Sequence, residues 1–153
     1  MLDSFEKLIL KVLQRDGRAN TQALSDAVGL SPSPCWRRVK RLEEEGYITR
    51  YAAILDGKKL GLHAFAHIQV SLVDHDVASI DTFQAFVDKN DQVLECSSIT
   101  GDFDYILKVA AKDPESLEQF IMHSLLRLKV VRTTTTTFIL RQMKVSGALP
   151  VDL

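Results

Sequence analysis

The stretch SPSPCWRRVKRL, residues 31–42, decides how the first third of this chain folds. It carries four basic side chains and no acidic one, although the formal net charge of the whole chain is -1. Proline is favoured in the first turn of a helix, where its missing N–H costs nothing. Ser33 is suited to cap such a helix and Pro34 to occupy its first position. The stretch therefore predicts a helix that begins at Ser33.

The predicted helix has two different faces. Because successive helical residues are rotated by about 100°, the apolar and basic residues separate onto opposite sides. The apolar seam is formed by Cys35, Val39 and Leu42, the basic row by Arg37, Lys40 and Arg41, and the flanks by Trp36 and Arg38. The pattern predicts a helix that packs by its seam and presents the basic row to solvent.

Two further helices are predicted before this one. The first has apolar residues at the spacing of one helical stripe, and Asp3 with Glu6 resembles a capping pair. Its stripe consists of Phe5, Leu8, Ile9, Val12 and Leu13. The second runs from a cap at Asn20 or Thr21 to Gly29, which suits the left-handed conformation just past a helix end. Helix, tight turn and helix together form a helix-turn-helix.

A change of periodicity then divides the chain. YITRYAAIL, residues 47–55, is rich in β-forming residues and predicts a small hairpin, the wing of the first domain. Residues 57–62 hold glycines and lysines and predict a linker. We therefore expect a winged helix-turn-helix domain over residues 1–56 and a second domain over residues 63–153.

Strands and helices alternate in the second domain. Apolar residues recur at every second position from 64 to 72, which is the period of a strand. Further strands are predicted at VLECSSIT, FDYILKVAA and VVRTTTTTFIL, with helices in the two longer gaps. The order β-α-β-β-α-β is that of the ferredoxin-like fold, so we assign the chain to the α+β class. The sheet face left over carries apolar and aromatic residues, which predicts a homodimer that stacks sheet on sheet.

Composition excludes several classes of protein. With 153 residues, 46% of them hydrophobic, the chain can bury a core and does not belong to the disordered class. Neither a secretory signal pattern nor a bilayer-spanning apolar stretch is present, so no membrane partner is expected. Cys35 and Cys96 are isolated, which fits a reducing cytoplasm. Because no Ser-His-Asp, Cys-His, phosphate-loop or zinc spacing occurs, we predict no catalytic residue and no cofactor.

The basic row is typical of a helix that binds DNA. An α-helix fits the major groove, where cationic and polar side chains reach phosphates and base edges. The predicted contacts to double-stranded DNA are Ser31, Ser33, Trp36, Arg37, Arg38, Lys40 and Arg41. The alternative is an ordinary solvated face, balanced by the three glutamates at positions 43–45.

A second candidate site is the segment TGDFDY, residues 100–105. From the residues alone, three interpretations stay open: a plain turn, a metal site at Asp102 and Asp104, and a loop that captures a ligand. A hard cation usually requires more oxygen ligands than two carboxylates supply. No third acid or histidine stands nearby in the sequence.

Two segments resemble the Lrp/AsnC family of bacterial and archaeal regulators, and the likeness covers nearly the whole chain. VGLSPSPCWRRVKRLEEEGYI is similar to the family's recognition helix and wing, and ECSSITGDFDYILK to its effector loop. The resemblance implies a winged helix-turn-helix joined to an amino-acid-sensing domain that forms homodimers and often tetramers or octamers. It departs from the leucine-responsive members at Trp36 and Arg37, so we expect an operator preference of its own.

The resemblance also implies a binding site for a small amino-acid effector at a subunit interface. The implied effector residues are Thr100, Gly101, Asp102, Asp104, Thr134 and Thr136. The threonines also fit an ordinary exposed ladder on the last strand. Two other functions compete with an amino-acid-controlled regulator: an architectural DNA-binding protein that needs no ligand, and a metal-dependent enzyme on the ferredoxin-like domain.

Overall fold

The computed structural model describes residues 2–152. The chain forms two compact units, the first comprising Met1–Ile54 with Lys144–Leu153 and the second Leu55–Met143. Residues 144–153, named the returning segment below, thus group with the N-terminal unit. The predicted division instead placed them in the second domain and treated residues 57–62 as a linker, whereas those six residues pack within the second unit.

The first unit contains the predicted helix-turn-helix. Its helices are α1 (Ser4–Leu13), α2 (Thr21–Val28) and α3 (Pro32–Glu44). The side chain of Asn20 accepts the N–H of Ala23 and caps α2, while Gly29 ends it with φ of 74°. That left-handed conformation is the one that glycine adopts without steric penalty, which allows the tight turn into α3.

Helix α3 begins earlier than predicted. Ser31 occupies the cap position and Pro32 the first turn, whereas the sequence pattern had placed the start at Ser33 and Pro34. The φ of proline is already close to its helical value, so the first of the two prolines can open the helix. The Ser31 side chain makes no capping hydrogen bond.

The predicted wing hairpin is not formed within a single chain. No strand occurs between residues 45 and 63, although the sequence there favours β structure. Tyr51 reaches back to α3, where its hydroxyl donates to Glu43 Oε1 at 3.0 Å. Burial, and to a smaller extent this hydrogen bond, raises the pKa of Tyr51 to about 12.

Helix α1 packs by only part of the predicted stripe, since Ile9, Val12 and Leu13 contact the core whereas Phe5 and Leu8 do not. Its fully buried residues are Glu6, Ile9 and Leu10, whereas Phe5 and Leu8 remain 37% and 41% exposed. The apolar partners of Ile9 and Leu10 include Leu24 and Val28 of α2 and Cys35 and Leu42 of α3. The buried face is therefore rotated toward Glu6, and a carboxylate lies inside it.

The returning segment packs along α1. The side-chain amide of Gln14 donates to the carbonyl of Leu149 at 3.1 Å, and the N–H of Leu149 donates to Gln14 Oε1 at 2.5 Å. Lys11 Nζ lies 2.6 Å from Asp152 Oδ2. Val151 is partly buried against the core of this unit.

The second unit has the predicted β-α-β-β-α-β order. Its elements are β1 (Ala64–Leu72), α4 (Val77–Lys89), β2 (Val93–Ser98), β3 (Tyr105–Ala111), α5 (Pro114–Phe120), a π-helical turn (Ile121–Leu125) and β4 (Val131–Phe138). The strands are ordered β2-β3-β1-β4 and every pair is antiparallel. This arrangement is the ferredoxin-like sheet, as predicted. The π-helical turn was not predicted.

One face of the sheet carries the core. The residues of β1 that alternate into it are Ala64, Ala66, Ile68, Val70 and Leu72, all no more than 3% exposed. Phe83 of α4 and Leu117 of α5 pack on the same cluster. The opposite face is less apolar than predicted. There β1 contributes Phe65, His67, Gln69 and Ser71, because the aliphatic residues of the strand all point toward the helices.

Candidate functional sites

The outer face of α3 is a short row of exposed polar and aromatic side chains. Ser33, Trp36, Arg37 and Lys40 are all exposed, Trp36 to 52%. Arg37 makes no ion pair with any residue from 2 to 152. Its guanidinium group is therefore available to a partner outside the chain.

Lys40 also lies on this outer face. Its Nζ is 2.8 Å from Glu43 Oε2, one turn further along the helix. The hydrogen bond to Glu43 raises the pKa of the Lys40 ammonium. Because both side chains are solvent-accessible, an ion pair of this kind exchanges readily for another anion.

Arg38 and Arg41 turn toward α1. Arg41 Nη2 lies 2.5 Å from Glu6 Oε1, and Arg38 Nη1 lies 3.5 Å from the same oxygen. Arg38 also pairs with the carboxylate of Asp3, and its guanidinium carbon stands 5.4 Å from the centre of the Phe5 ring. Three of the four basic side chains of the predicted DNA contact thus pair with acids of the same chain, and two of them, Arg38 and Arg41, pair with acids of α1 or its cap.

The start of α3 and its buried seam agree with the helical pattern. Ser31 and Ser33 are exposed at the N-terminal end of the helix. Cys35 and Leu42 are fully buried and Val39 is partly buried. Burial raises the pKa of the Cys35 thiol against the opposing charge of Arg38, so this thiol is a packing group.

The loop between β2 and β3 presents residues 100–102 to solvent. Thr100, Gly101 and Asp102 are exposed. The backbone N–H groups of Gly101 and Asp102 donate no hydrogen bond within residues 2–152. Gly101 has φ of 116°, a conformation that side-chain-bearing residues rarely adopt. The loop thus combines free backbone donors with one exposed carboxylate.

We expect Gly101→Ala to destabilise the second unit by about 1–3 kcal/mol through backbone strain alone. A Cβ at Gly101 meets no atom within 4 Å, so a clash cannot contribute. Gly147→Ala is the matched control, because its Cβ also meets nothing within 4 Å and its φ is not positive. Urea unfolding of the two variants should separate them, and equal midpoints would show that the φ of Gly101 carries no cost.

Asp104 supports the loop from beneath. Its Oδ2 accepts the N–H of Leu72 at 2.7 Å, and its Oδ1 lies 2.8 Å from His75 Nε2. Burial alone would raise the pKa of Asp104, but the Leu72 hydrogen bond, His75 and the charge of Arg132 outweigh it and lower the pKa. Both carboxylate oxygens of Asp104 are thus engaged within the chain.

Hydrogen bonds to β1 fix the loop further. The N–H of Asp104 donates to the carbonyl of Val70 at 3.0 Å, and the Ser71 hydroxyl donates to the carbonyl of Asp102 at 3.3 Å. Tyr105, the first residue of β3, stacks on Phe83 with 4.7 Å between ring centres. The exposed tip therefore rests on a fixed base.

Thr134 and Thr136 do not join the loop within one chain. In the sheet register they pair with Val70 and Ile68 on the face that the helices occupy, and both are partly exposed. Val70 also pairs with Tyr105, so Thr134 stands two strands from the loop's end, about 10 Å away. No hydrogen bond links either threonine to residues 100–105 in the part of the chain described. A pocket lined by both the loop and the threonines would therefore need residues from outside this single chain.

Three interacting residues were not predicted as part of either site. Glu6 was assigned only a capping role, whereas it also pairs with α3, and His75 and Leu72 were not connected with Asp104. Their partners lie about 30 or more positions away in sequence, beyond the reach of a local pattern. Among residues 2–152, no group of three or more His, Cys, Asp or Glu side chains could hold a metal ion. No helix in that range is long and apolar enough to cross a membrane.

Two family models match the chain. A model described as winged helix-turn-helix DNA-binding matches residues 2–49, and one described as Lrp/AsnC ligand binding domain matches residues 65–149. The first match covers α1, α2 and α3, and the second covers β2, β3, β4 and all of β1 except Ala64.

Relatives of known role match along the whole chain. The transcriptional regulator AzlB of Bacillus subtilis is 38% identical over 152 residues, which are 99% of this chain and 97% of that protein. The leucine-responsive regulatory protein of Salmonella typhimurium is 36% identical over 150 residues, or 98% of this chain and 92% of that protein.

Solved structures share the architecture. A transcriptional regulator of Neisseria meningitidis, in complex with L-Met, superposes with a TM-score of 0.97 at 36% identity and covers 99% of this chain and 98% of its own. An AsnC family transcriptional regulator of Agrobacterium tumefaciens has a TM-score of 0.93 at 30% identity, with the same two coverages.

Proposed function

The chain belongs to the Lrp/AsnC family of transcriptional regulators, and from that premise we propose that it binds promoter DNA through α3 under the control of an amino acid. The observation that carries the DNA-binding part is the unpaired, exposed Arg37 on the second helix of a helix-turn-helix. Such a helix enters the major groove, where a guanidinium group binds guanine edges or phosphates in a bidentate manner. The protein would act in the cytoplasm.

The remaining contacts follow from the same face. Trp36 and Lys40 flank Arg37, and Ser31 and Ser33 stand at the helix start, where short donors and backbone N–H groups suit a phosphate. Binding of selected duplexes by the full chain tests this proposal. A protein that binds no duplex at low salt would contradict it.

For the effector, we propose the exposed tip of the loop at residues 100–102. The carboxylate of an amino acid would accept from the free N–H groups of Gly101 and Asp102, and its ammonium group would pair with the Asp102 side chain. Asp104 would position the loop, since its oxygens are already engaged by Leu72 and His75. Thr134 and Thr136 would contribute through a second subunit.

L-Methionine is the first effector to test, because the similar regulator of Neisseria meningitidis is in complex with it. A thermal-shift screen of all twenty amino acids names the effector, since a ligand that binds only the folded state raises the melting temperature. Stabilisation by one or a few amino acids supports the proposal. If none shifts the melting temperature and none alters DNA binding, the ligand-independent architectural function is correct instead.

We expect Asp102→Ala to weaken binding of the effector found in that screen by roughly 10-fold to 100-fold, because a charge-assisted hydrogen bond contributes about 1.5–3 kcal/mol. DNA binding without effector should stay unchanged. Asp81→Ala, another exposed aspartate of the second unit, is the control. Isothermal calorimetry measures both variants, and equal affinities would remove Asp102 from the site.

We further propose that the protein is a homodimer that assembles into a larger oligomer such as an octamer. On the sheet face opposite the helices, Phe65 and Ile106 are only half-buried among residues 2–152, and stacking on a second copy would bury them further. Two α3 helices on one two-fold axis would also double the phosphate contacts. Light scattering after size-exclusion chromatography decides the point, and a monomer at micromolar concentration would overturn it.

A further inference from the structure

The acid Glu6 lies fully buried between two helices of the DNA-binding unit, although an ionised carboxylate is costly to bury. Its Oε2 accepts the N–H of Asp3 at 2.9 Å and completes the cap of α1. Its Oε1 makes no well-aligned hydrogen bond within residues 2–152. The charge on Oε1 is instead balanced by the guanidinium groups of Arg38 and Arg41.

The two arginines have further partners that hold them on the same side. Arg38 is clamped by Asp3 and the Phe5 ring, and its side chain is only 29% exposed. Arg41 Nε also lies 3.4 Å from Glu45 Oε1, one turn further along the chain. On the helical wheel, Arg38 lies about 130° and Arg41 about 70° from the centre of the face that bears Ser33, Arg37 and Lys40. Arg41 is therefore kept from that face by its ion pair with Glu6 rather than by its helical position alone. If either arginine turned away to bind a DNA phosphate, the buried carboxylate of Glu6 would lose a compensating positive charge.

We infer that Glu6 is a positioning residue for DNA recognition, which keeps Arg38 and Arg41 on α1 and leaves Arg37 and Lys40 as the cationic contacts of α3. This inference rests on the proposed binding of DNA by α3. It divides the basic block by role: Arg38 and Arg41 join α3 to α1, and Arg37 and Lys40 face the duplex. Of the four cationic side chains on α3, only two are then available to DNA phosphates, which limits the sequence-independent attraction of the helix to DNA.

The salt dependence of DNA binding separates these roles, because each phosphate contact contributes about 0.9 to the slope of log K against log salt concentration. The probes are a duplex selected by the unmodified protein from a random-sequence library and a scrambled duplex of the same composition. We expect Arg41→Gln and Arg38→Gln to leave the slope unchanged. Arg37→Gln or Lys40→Gln should make the slope shallower by about 2 in a dimer that loses one phosphate contact per subunit.

The outcomes distinguish the inference from the function beneath it. If Arg41→Gln lowers the slope as much as Arg37→Gln, Arg41 binds phosphate and the inference is wrong, while DNA binding by α3 stands. If none of the four variants changes either slope or affinity, α3 is not the DNA contact and the proposed function itself fails.

Glu6→Gln gives an independent test, because it removes the charge at nearly constant shape. We expect steeper salt dependence and about a tenfold lower preference for the selected over the scrambled duplex, because the released arginines reach any phosphate. In Glu6→Gln with Arg41→Gln, the slope should return toward that of the unmodified protein. A Glu6→Gln protein that only unfolds at lower urea, with slope and preference intact, would show a purely structural role. Should Glu6→Gln not fold, the Arg38→Gln and Arg41→Gln slopes decide alone.

Discussion

Arg37→Ala should weaken binding of the selected duplex by roughly 30-fold to 20,000-fold while leaving the oligomer intact. A lost arginine contact costs about 1–3 kcal/mol, and a dimer loses two of them, which gives about 2–6 kcal/mol. The substitution removes nothing from the core, because Arg37 is exposed and has no ion-pair partner among residues 2–152. Fluorescence anisotropy with a labelled duplex measures the affinity, and light scattering checks the oligomer.

Arg127→Ala is the matched control for this variant. Arg127 is an exposed arginine of the second unit, so its loss changes the net charge equally without touching α3. We expect its affinity for the duplex to stay within a factor of about two, because a charge that makes no contact with the duplex is largely screened at physiological salt. Equal weakening in both variants would show that overall charge, rather than a contact at Arg37, determines the affinity.

Phe83→Ala should lower the free energy of unfolding by about 3–5 kcal/mol, a large part of the total stability of a typical domain. Phe83 is 1% exposed and belongs to the core beneath the sheet. Its ring also contacts that of Tyr105, the residue that follows the loop between β2 and β3, so the cavity would open beside the end of that loop. Urea unfolding followed by circular dichroism measures the loss at fixed protein concentration.

Phe138→Ala controls for the loss of an aromatic ring. Phe138 is 47% exposed at the end of the edge strand β4, so its truncation leaves no cavity. We expect a change of less than about 1 kcal/mol there. If the two variants unfold at the same urea concentration, the packing of Phe83 is not what stabilises this unit. A weaker response to effector in Phe83→Ala alone would also connect the core to the loop.

Elements with a strong internal period were predictable from the sequence. The alternation from Ala64 to Leu72 predicted the bounds of β1 correctly, because a strand buried on one face requires an apolar residue at every second position. Asn20 and Gly29 likewise marked both ends of α2, since each satisfies a local backbone requirement. These signals depend on neighbours a few positions away.

Features that depend on distant partners were not predictable. A glutamate inside an apolar stripe is normally assigned to solvent, and only Arg38 and Arg41 make the burial of Glu6 tolerable. The engagement of Asp104 required the end of β1 to lie beside it. The segment at residues 47–55 has the composition of a strand but lacks a second strand to pair with in the same chain.

The returning segment affects the order in which the protein is completed during synthesis. Gln14 and Leu149 are 135 positions apart, which a ribosome covers in roughly 7–30 s. For most of that interval α1, α2 and α3 have already been synthesised, while Leu10, Leu13 and Ile48 still lack the chain that later lines the same groove. Every residue of the sheet emerges before that groove is filled. Within residues 2–152, synthesis of the first unit therefore starts before that of the second unit and ends after it.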